Sequence, residues 1–496
     1  MVTRRQLCSV VPSVAIGLLS APLKAGENRI AELEKPLRSY IIAGAGVSGL
    51  IAAITAAEHG VKDILVIEKE PLIGGASILC EGVWTLAGTP FQKETGLADS
   101  SEKFLENLIE DAKGTNDPKL LKAYIDHCLD QYEWFARKGI HPKEIITNTG
   151  MNVPRGHTFD PLQIIICLRK RLDELGIALV TGAKAKKLLL KADGAVAGLL
   201  VESKGKTFKI SSKLGVLLAT GGFSRNTELI AKYAPKMINA VRLSCAGAYG
   251  DGLIMALEAG ADVRDIHNIR AAYGFILNPS SVFDISQTIY AGAISVNSQG
   301  LRYVNESLPY KDIGEIALEQ PSQRTFMVFD SLILKAQMED RAADARLYAP
   351  LLKGETPIFM SAAASLEELA RTARLPVANF VSTVSRYNTY VDKGFDEEFG
   401  RRHLTLTYGT MRKIQKAPFY LVPTTCASMG TNGGVRVNEK TQVLKADLSA
   451  IPGLYAAGEM MGGFHGNSFM GGTSYGKAIV FGRINGLYIA EENSRA

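Results

Sequence analysis

The sequence predicts an α/β protein in which a strand–helix–strand domain is interrupted by an inserted α+β domain, and three observations predict it. Strand-like and helical segments alternate up to about residue 270. Shorter, mixed elements with loops rich in Asn, Pro and Gly follow over 271–428, and glycine-rich strand–helix character returns after Gly430. Because one pattern resumes after a different one, we expect a single domain formed by 36–270 and 429–496, with 271–428 inserted into it.

Hydrophobic periodicity predicts the individual elements. A buried strand over Ser39–Ala43, an apolar helix over Val47–His59 and a second strand over Asp63–Glu68 open the first domain, and the charged segment Gly26–Leu37 is expected to be a linker. The other predicted elements are, in order, helical structure over Ser101–Lys138, a helix and a strand within Leu162–Val180, strands over Ala195–Val201, Lys206–Ile210 and Val216–Ala219, and helices over Ala363–Ala373, Val377–Lys393 and Tyr475–Glu491.

Length, charge and cysteine spacing exclude several functions. The formal charge of +6 is small for 496 residues and no Lys/Arg block stands out, so nucleic acid is not expected as a partner. The six cysteines form no C-x-x-C pair, which argues against a zinc ribbon, a thioredoxin-like motif or a c-type haem, and we expect no metal site. No stretch is long and apolar enough to predict an integral membrane span.

The first 25 residues have the pattern of an export leader. A basic start at Arg4 and Arg5 precedes a short apolar run over Val10–Leu19, and small residues follow up to Ala25. Thr3–Leu7 resembles the twin-arginine signal, which exports proteins that have already folded around a cofactor. We therefore expect a periplasmic protein. The alternative is a cytoplasmic protein with a basic tail.

A glycine motif with the spacing G-x-G-x-x-G lies between the first predicted strand and helix. In Gly44–Gly49 the first glycine allows a tight turn, the second lets the backbone approach a pyrophosphate, and the third lets helix and strand pack closely. Glu68 ends the second strand 19 residues further on, where an acid binds ribose hydroxyls. The residues expected to contact a dinucleotide here are Gly44, Gly46, Val47, Ser48, Gly49, Glu68 and Lys69.

Three further small-residue turns favour a flavin dinucleotide over a nicotinamide. They are Gly74–Ser77, Ala219–Gly222 and Gly453–Glu459, and each is expected at the carboxyl edge of a sheet, where a long dinucleotide lies. The cofactor-binding residues that they predict are Gly75, Ala76, Ser77, Thr220, Gly221, Gly222, Gly458 and Glu459.

These segments resemble the flavoprotein family of soluble fumarate reductases, succinate dehydrogenase flavoproteins and 3-ketosteroid dehydrogenases, over about Pro36–Asn493. The resemblance implies a Rossmann-like FAD-binding domain interrupted by an α+β capping domain that covers the isoalloxazine ring. It also implies that Glu68 holds the adenosine ribose and that Glu459 lies near the ribityl chain. Covalent flavin in this family needs a histidine around Gly74–Glu81, where none occurs, so we expect noncovalent FAD.

The motif that carries the catalytic acid departs from the fumarate reductase pattern. Val296–Glu306 matches that pattern, but the chain then continues Ser307-Leu308-Pro309-Tyr310, so that Tyr310 stands where fumarate reductases have an arginine acid. The run resembles 3-ketosteroid dehydrogenases, in which this tyrosine transfers a proton. A phenol is able to do so once it is positioned, whereas a packing role for Tyr310 is the alternative.

Two positions that grip dicarboxylates in fumarate reductases also differ, since Met429 replaces a histidine and Phe469 an arginine. Loss of these cations leaves a dianion poorly paired, so fumarate is not the expected substrate. His465 is a further candidate for a flavin or substrate contact, with a structural role as the alternative. Thr473 and Ser474 precede the final helix, whose N-terminus is expected at the flavin's N1/O2 edge, and the Thr473 amide is a candidate donor to a substrate carbonyl.

We interpret the chain as an FAD-dependent oxidoreductase that acts on a C–C or C=C bond beside a carbonyl, with hydride carried by flavin N5 and the proton by Tyr310. Tyr273 and Tyr290 are candidates for lining an apolar pocket, with a place in the core as the alternative. Arg155 and His157 are candidates for pairing with a carboxylate, but a surface loop is the expectation for this segment. One alternative is an enoate reductase for an aryl-acrylate, with Arg155 or Arg242 binding a single carboxylate, and another is an electron-carrying flavoprotein without its own substrate. A separate cytochrome or quinone-linked electron carrier is the expected partner, and the direction of reaction stays open.

Overall fold

The computed structural model describes residues 29–148, 150–281, 283–340, 347–405 and 409–495, so the predicted leader lies outside the described residues. The chain forms two compact units. The first unit contains the described residues up to Leu229, together with Ser244–Ile269 and the chain from Gly430. The second unit contains Arg270–Met429 and also Ile230–Leu243, a segment that the sequence pattern placed in the first domain.

A six-stranded sheet forms the centre of the first unit. Five of its strands run parallel through four consecutive pairings, so their carboxyl ends meet at one edge. All four residues of Tyr40–Ala43 are buried, which explains why this strand is apolar without alternation. The strands in spatial order are Gln442–Leu444, Ala450–Ala456, Val216–Leu218, Tyr40–Ala43, Ile64–Glu68 and Ala178–Thr181.

Two long helices pack closely against each other beside this sheet. They are Val47–Glu58 and the C-terminal helix Thr473–Arg495. A Cβ on Gly482 would lie 2.4 Å from the carbonyl oxygen of Ser48, and one on Gly486 would lie 2.6 Å from Cβ of Thr55. Only glycine at these two positions allows the backbones of the two helices to approach this closely.

The rest of the first unit surrounds this core with small sheets and amphipathic helices. A four-stranded sheet has the order Leu37–Arg38, Lys206–Ser212, Val196–Ser203, Ala183–Leu190. The other strands are Val83–Thr85, Glu144–Ile146, Gly156–Thr158, Val263–Arg264 and Gly434–Val435, and the other helices are Arg29–Glu34, Pro90–Glu94, Ser101–Asp111, Pro118–Arg137, Pro161–Glu174, Thr227–Tyr233 and Asp251–Glu258, with 3₁₀ turns at Gly75–Ile78 and Gly458–Met460.

The second unit is built on one mixed sheet around the 13-residue strand Phe419–Thr431. This strand pairs with four others and is buried along almost its whole length. The other strands are Val241–Arg242, Ile269–Ile276, Ile294–Asn297, Thr325–Asp330 and Ser361–Ala363, and the helices are Tyr310–Leu318, Ser331–Asp340, Leu366–Thr372 and Val377–Lys393, with 3₁₀ turns at Pro235–Met237, Thr288–Ala291, Pro321–Gln323 and Ala349–Lys353.

Two predicted elements differ from the structure. The linker prediction for Gly26–Leu37 is wrong where the chain is described, because Arg29–Glu34 is helical and Arg38 fixes it by donating to the Glu32 carbonyl at 2.5 Å and to Asp63 at 2.5 Å. The helical stretch Ser101–Lys138 is two helices, since Asp117 caps a new one that has proline in its first turn. Among the described residues, no helix combines the length and apolar character that crossing a bilayer requires.

Candidate active site

The first glycine motif forms a tight turn whose three glycines have different tasks. Gly44 has φ of +113°, and a Cβ there would lie 2.2 Å from the Ala219 carbonyl oxygen. A Cβ on Gly49 would lie 2.0 Å from the Gly44 carbonyl oxygen, so this glycine holds the helix against the strand. Gly46 is different, because the nearest atom to its Cβ would be Ser77 Oγ at 3.6 Å. The absent side chain of Gly46 therefore leaves open space at the start of the helix.

The start of helix Val47–Glu58 has the features of an anion site. Gly46 is its N-cap and supplies no side-chain cap, while the Val47 N–H donates to Ser77 Oγ at 3.1 Å. Ser48 is buried, and its Oγ has no hydrogen-bond partner among the described residues. A Cβ on Gly75 would meet nothing within 4 Å. The helix N-terminus, the Ser48 hydroxyl and the open backbone at Gly75 fit the pyrophosphate of a dinucleotide.

Glu68 ends its strand beside this turn. Its carboxylate accepts hydrogen bonds from the N–H groups of Ala45 and Glu70, each at 2.9 Å, and burial raises its pKa. Lys69 points elsewhere, since its ammonium donates to the Gly247 carbonyl at 2.6 Å and forms an ion pair with Asp251. The geometry places Glu68 at the turn, whereas Lys69 ties two segments of the first unit together.

The turns after two other strands, Val216–Leu218 and Ala450–Ala456, form the second half of the predicted cofactor site. We call this site the cradle, and it consists of Gly44–Gly49, Glu68, Thr220–Gly222, Thr431 and Glu459. The Thr431 N–H donates to Glu459 Oε1 at 2.8 Å, and a Cβ on Gly222 would lie 2.2 Å from the same oxygen. Thr220 Oγ1 lies 3.1 Å from the sulfur of Met460. The sequence pattern had not singled out Thr431, although its place two residues before the Gly433-Gly434 pair was the available signal.

The spacing between Glu68 and Glu459 suits a long ligand. Glu68 is the last residue of the strand Ile64–Glu68, and Glu459 follows the strand Ala450–Ala456. Two other strands lie between these two strands in the sheet. Three strand spacings amount to about 14 Å across the edge. This span matches a dinucleotide lying across the sheet edge rather than a mononucleotide at one strand.

The C-terminal helix begins at Thr473, whose N–H donates to the Met470 carbonyl at 3.3 Å. Ser474 Oγ lies 3.3 Å from Nε2 of His465. The His465 ring is buried and packs beside Phe464 and Phe469, with ring centroids 5.0 and 5.5 Å away. His465, Thr473 and Ser474 thus lie together in the first unit, and their roles toward a substrate stay predictions.

Tyr310 opens the helix Tyr310–Leu318 in the second unit and packs into an apolar cluster. The cluster has Ala272, Phe275 and Ala427 at its centre, with Met429 also against it. A buried ion cluster anchors the preceding loop, since Glu306 accepts from Arg302 at 2.6 Å and from Arg401 at 3.3 Å. The residue at the predicted acid position is therefore a phenol on a fixed loop in apolar surroundings.

The neighbouring tyrosines have hydrogen-bond partners inside the second unit. Tyr290 donates to the Leu308 carbonyl at 2.9 Å, two residues before Tyr310. Tyr273 is fully buried and lies 2.5 Å from Ser295 Oγ and 2.8 Å from Thr424 Oγ1. Tyr273 therefore belongs to the core of this unit, and Tyr290 supports the loop that carries Tyr310.

The arginine considered for a single substrate carboxylate, Arg155, is saturated by protein contacts. It forms a two-point ion pair with Asp99 at 2.7 and 2.8 Å, donates to Asn107 and Asn152 at 2.7 Å each, and is fully buried. His157 is also buried, with Nε2 2.7 Å from Thr89 Oγ1. The expectation of a surface loop here is wrong, because these side chains form a buried network.

The second arginine, Arg242, lies on the short strand Val241–Arg242 of the second unit. Val241 pairs with Ala427 in parallel register and Arg242 with Ser428. Val241 and Ala427 belong to the cluster around Tyr310. Side chains alternate along a strand, so Arg242 is directed to the face opposite this cluster.

Together the fold and the cradle define a dinucleotide-binding flavoprotein, and comparisons with known proteins agree. The family model described as FAD binding domain matches residues 39–475. The probable fumarate reductase Ifc3 of Shewanella frigidimarina is 32% identical over 466 residues, which cover 93% of this chain and 76% of that protein.

Two solved structures have the same fold over nearly the whole chain. The open conformation of a flavocytochrome c3 fumarate reductase is 30% identical with a TM-score of 0.79, covering 95% of this chain and 82% of that one. The 3-ketosteroid-Δ4-(5α)-dehydrogenase of Rhodococcus jostii, in complex with 4-androstene-3,17-dione, is 25% identical with a TM-score of 0.73, covering 92% and 97%. The chain belongs to the FAD binding domain family, and it is an FAD-dependent oxidoreductase of the class that acts on CH–CH bonds.

Proposed function

We propose that this enzyme reduces or forms a carbon–carbon double bond next to the carbonyl of a neutral or monoanionic substrate, with Tyr310 as the proton-transfer residue. The observation that carries the proposal is the phenol at the start of helix Tyr310–Leu318, among Ala272, Phe275 and Ala427. An apolar setting of this kind suits a ketone better than a dicarboxylate, because a buried charge without a counter-charge is costly.

The cofactor fits the residues of the first unit. Ser77 and Ser48 would bind the pyrophosphate, Glu68 would hold the adenosine ribose, and Glu459 would hold the ribityl side. When bound, FAD supplies a hydride acceptor and donor at N5. With no histidine in Gly74–Glu81, the flavin is held by noncovalent contacts alone.

Each protein residue then has one task. The Tyr310 hydroxyl gives a proton to the carbon beside the one that receives hydride, and in the reverse direction the Tyr310 phenolate takes a proton from that carbon. The positive N-terminal end of helix Thr473–Arg495 would stabilise negative charge that develops on the ring or on a substrate carbonyl.

A second candidate function is reduction of an enoate with one carboxylate. It is supported by the 32% identity to a probable fumarate reductase. Against fumarate itself stand Tyr310, Met429 and Phe469 at the three positions where cations would grip a dianion. Arg155 is already saturated by Asp99, so it has little to offer a substrate carboxylate.

The test is anaerobic. The holoenzyme is reduced with a viologen, excess reductant is removed, and flavin absorbance is followed after addition of an enone such as 4-androstene-3,17-dione or its dehydrogenated analogue, an aryl-acrylate, or fumarate. The proposal expects an enone or unsaturated ketone to reoxidise the flavin and fumarate to leave it reduced. Rapid reoxidation by fumarate alone would refute it, and reoxidation by none of these would favour an electron-carrying flavoprotein.

We also infer export and a separate electron carrier. The support is the Arg4-Arg5 leader pattern and the absence of a C-x-x-C-H haem motif from the sequence. Replacing both arginines by lysine should retain the protein in the cytoplasmic fraction. Equal amounts in the periplasmic fraction with and without these arginines would contradict a twin-arginine route and leave the catalytic proposal untouched.

A further inference from the structure

Asn432 is a buried asparagine of the first unit, and the described residues do not satisfy the polar atoms of its side chain. It is 1% exposed, and neither its Oδ1 nor its Nδ2 has a hydrogen-bond partner among the described residues. A carboxamide offers two donors and one acceptor oxygen, and burying them unmet costs free energy that native structures rarely tolerate. A group other than the protein is therefore expected to bind this side chain.

Close contacts hold the backbone on both sides of Asn432. A Cβ on Gly433 would lie 1.9 Å from the Asp265 carbonyl oxygen, and one on Gly434 would lie 2.1 Å from that of Met460. The Asn432 N–H donates to the Asn268 carbonyl at 2.9 Å. Backbone contacts therefore hold the chain on both sides of the carboxamide.

Its location is the Glu459 end of the cradle. The preceding residue, Thr431, donates its N–H to Glu459 Oε1, and Val435 forms a bridge to Met461. In the six-stranded sheet, the strand that ends at Glu68 lies three strand spacings from the strand that precedes Glu459. This is about 14 Å across the sheet edge. A dinucleotide whose ribose binds at Glu68 presents its flavin half, not its adenine, near Glu459.

We propose that Asn432 binds the pyrimidine edge of the isoalloxazine ring. That edge alternates carbonyl oxygens with the N3–H group, which is the pattern that one carboxamide matches with a donor and an acceptor at once. A donor to a ring carbonyl strengthens when reduction adds negative charge to the ring. Asn432 therefore contributes to FAD affinity and raises the reduction potential of the bound flavin.

The test compares Asn432→Leu with Asn485→Leu in the holoenzyme. Asn485 is the matched control, because it is equally buried in the same unit but has protein partners at both ends: Tyr40 donates to its Oδ1 at 2.7 Å, and its Nδ2 donates to Thr441 at 3.0 Å. Fluorescence of FAD released on dilution gives the Kd, and dye-coupled anaerobic titration gives the midpoint potential.

Asn432→Leu should weaken FAD binding about tenfold to a hundredfold, since it removes two hydrogen bonds, and should shift the midpoint potential to more negative values. Asn485→Leu should lower resistance to urea and change neither quantity. Asn432→Ala, which introduces no bulk, should repeat the result if leucine does not fit. Unchanged Kd and potential in both Asn432 variants would overturn the proposal, and a weaker Kd at unchanged potential would place the contact on the adenosine or pyrophosphate part instead.

Discussion

Substitution of two glycines of the first turn is predicted to have different effects. Replacing Gly49 should lower stability, whereas replacing Gly46 should weaken FAD binding. In Gly49→Ala the new Cβ would lie 2.0 Å from the Gly44 carbonyl oxygen and 3.2 Å from Ile42. Contacts under 3.0 Å are essentially never seen, so the helix has to move by about 1 Å in a close-packed interior. Overpacking of this kind costs about 3 kcal/mol, only partly offset by the roughly 1 kcal/mol that alanine gains over glycine in a helix.

Gly46→Ala is the matched variant. Its Cβ would meet only Ser77 Oγ at 3.6 Å and the Gly74 carbonyl oxygen at 3.9 Å, and the residue has φ of −75°, which alanine adopts freely. Stability should change by less than about 1 kcal/mol, the size of an ordinary N-cap effect. FAD binding should nevertheless fall steeply, because the methyl group occupies the space through which the pyrophosphate approaches the helix.

The assay combines urea unfolding, followed by far-UV circular dichroism, with the ratio of flavin to protein absorbance in the purified protein. Gly49→Ala should lose about 2 kcal/mol or more of unfolding free energy, as the difference between the two effects above. Gly46→Ala should purify nearly colourless. With FAD removed from both proteins it should unfold like the parent, because bound FAD itself stabilises the folded state. Full flavin content in Gly46→Ala, or parental stability in Gly49→Ala, would refute the assignment of these two glycines.

Two further predictions concern the buried network beside Asp99. Arg155→Met should lower the free energy of unfolding by about 3–5 kcal/mol, because it leaves the buried Asp99 carboxylate without its counter-charge. Urea unfolding measures this loss. An effect on substrate KM alone, with unchanged stability, would contradict the prediction. Burial lowers the pKa of His157 to about 4. The unfolded chain therefore takes up a proton near pH 6.5 that the folded chain refuses, and stability should fall by about 1.4 kcal/mol per unit between pH 6.5 and 4. His157→Gln should flatten that slope, and an unchanged slope would contradict the assignment.

Local pattern was sufficient to predict the strands and glycine turns at the carboxyl edge of the main sheet. The strands that end near Ala43 and Glu68 are buried apolar runs followed by glycine turns, and such runs are recognisable without knowing their neighbours. The tasks of Gly44 and Gly49 follow from covalent geometry, and the close contacts of their missing Cβ atoms are as the spacing predicts. Positions that depend on turn chemistry are thus accessible from sequence.

Elements that depend on distant partners were not predicted. The strand Phe419–Thr431 is buried on both faces and contains Pro423, so it lacks the alternation that would reveal a strand. Helix Arg29–Glu34 has only six residues, and tertiary contacts stabilise it, with Leu33 buried and Arg38 bonded to Glu32. Such elements form because of what they contact, and the sequence does not name those contacts.

The same reason explains which site residues sequence reasoning missed or misjudged. From the sequence, Arg155 could bind a substrate carboxylate. In the structure its guanidinium is already paired with the carboxylate of Asp99, 56 residues earlier. Asn432 carries no motif of its own, and its interest comes only from being buried without a side-chain hydrogen-bond partner among the described residues. Satisfaction of polar groups is a property of the folded chain.

The most direct test of the proposed chemistry is the rate at which an enone reoxidises the pre-reduced enzyme, measured by anaerobic stopped flow for the parent and for Tyr310→Phe. The account predicts equal flavin content, an unchanged midpoint potential and a reoxidation rate that falls at least about a hundredfold, the usual contribution of a positioned proton donor. Reoxidation of Tyr310→Phe at the parental rate would contradict it and would return Tyr310 to a packing role.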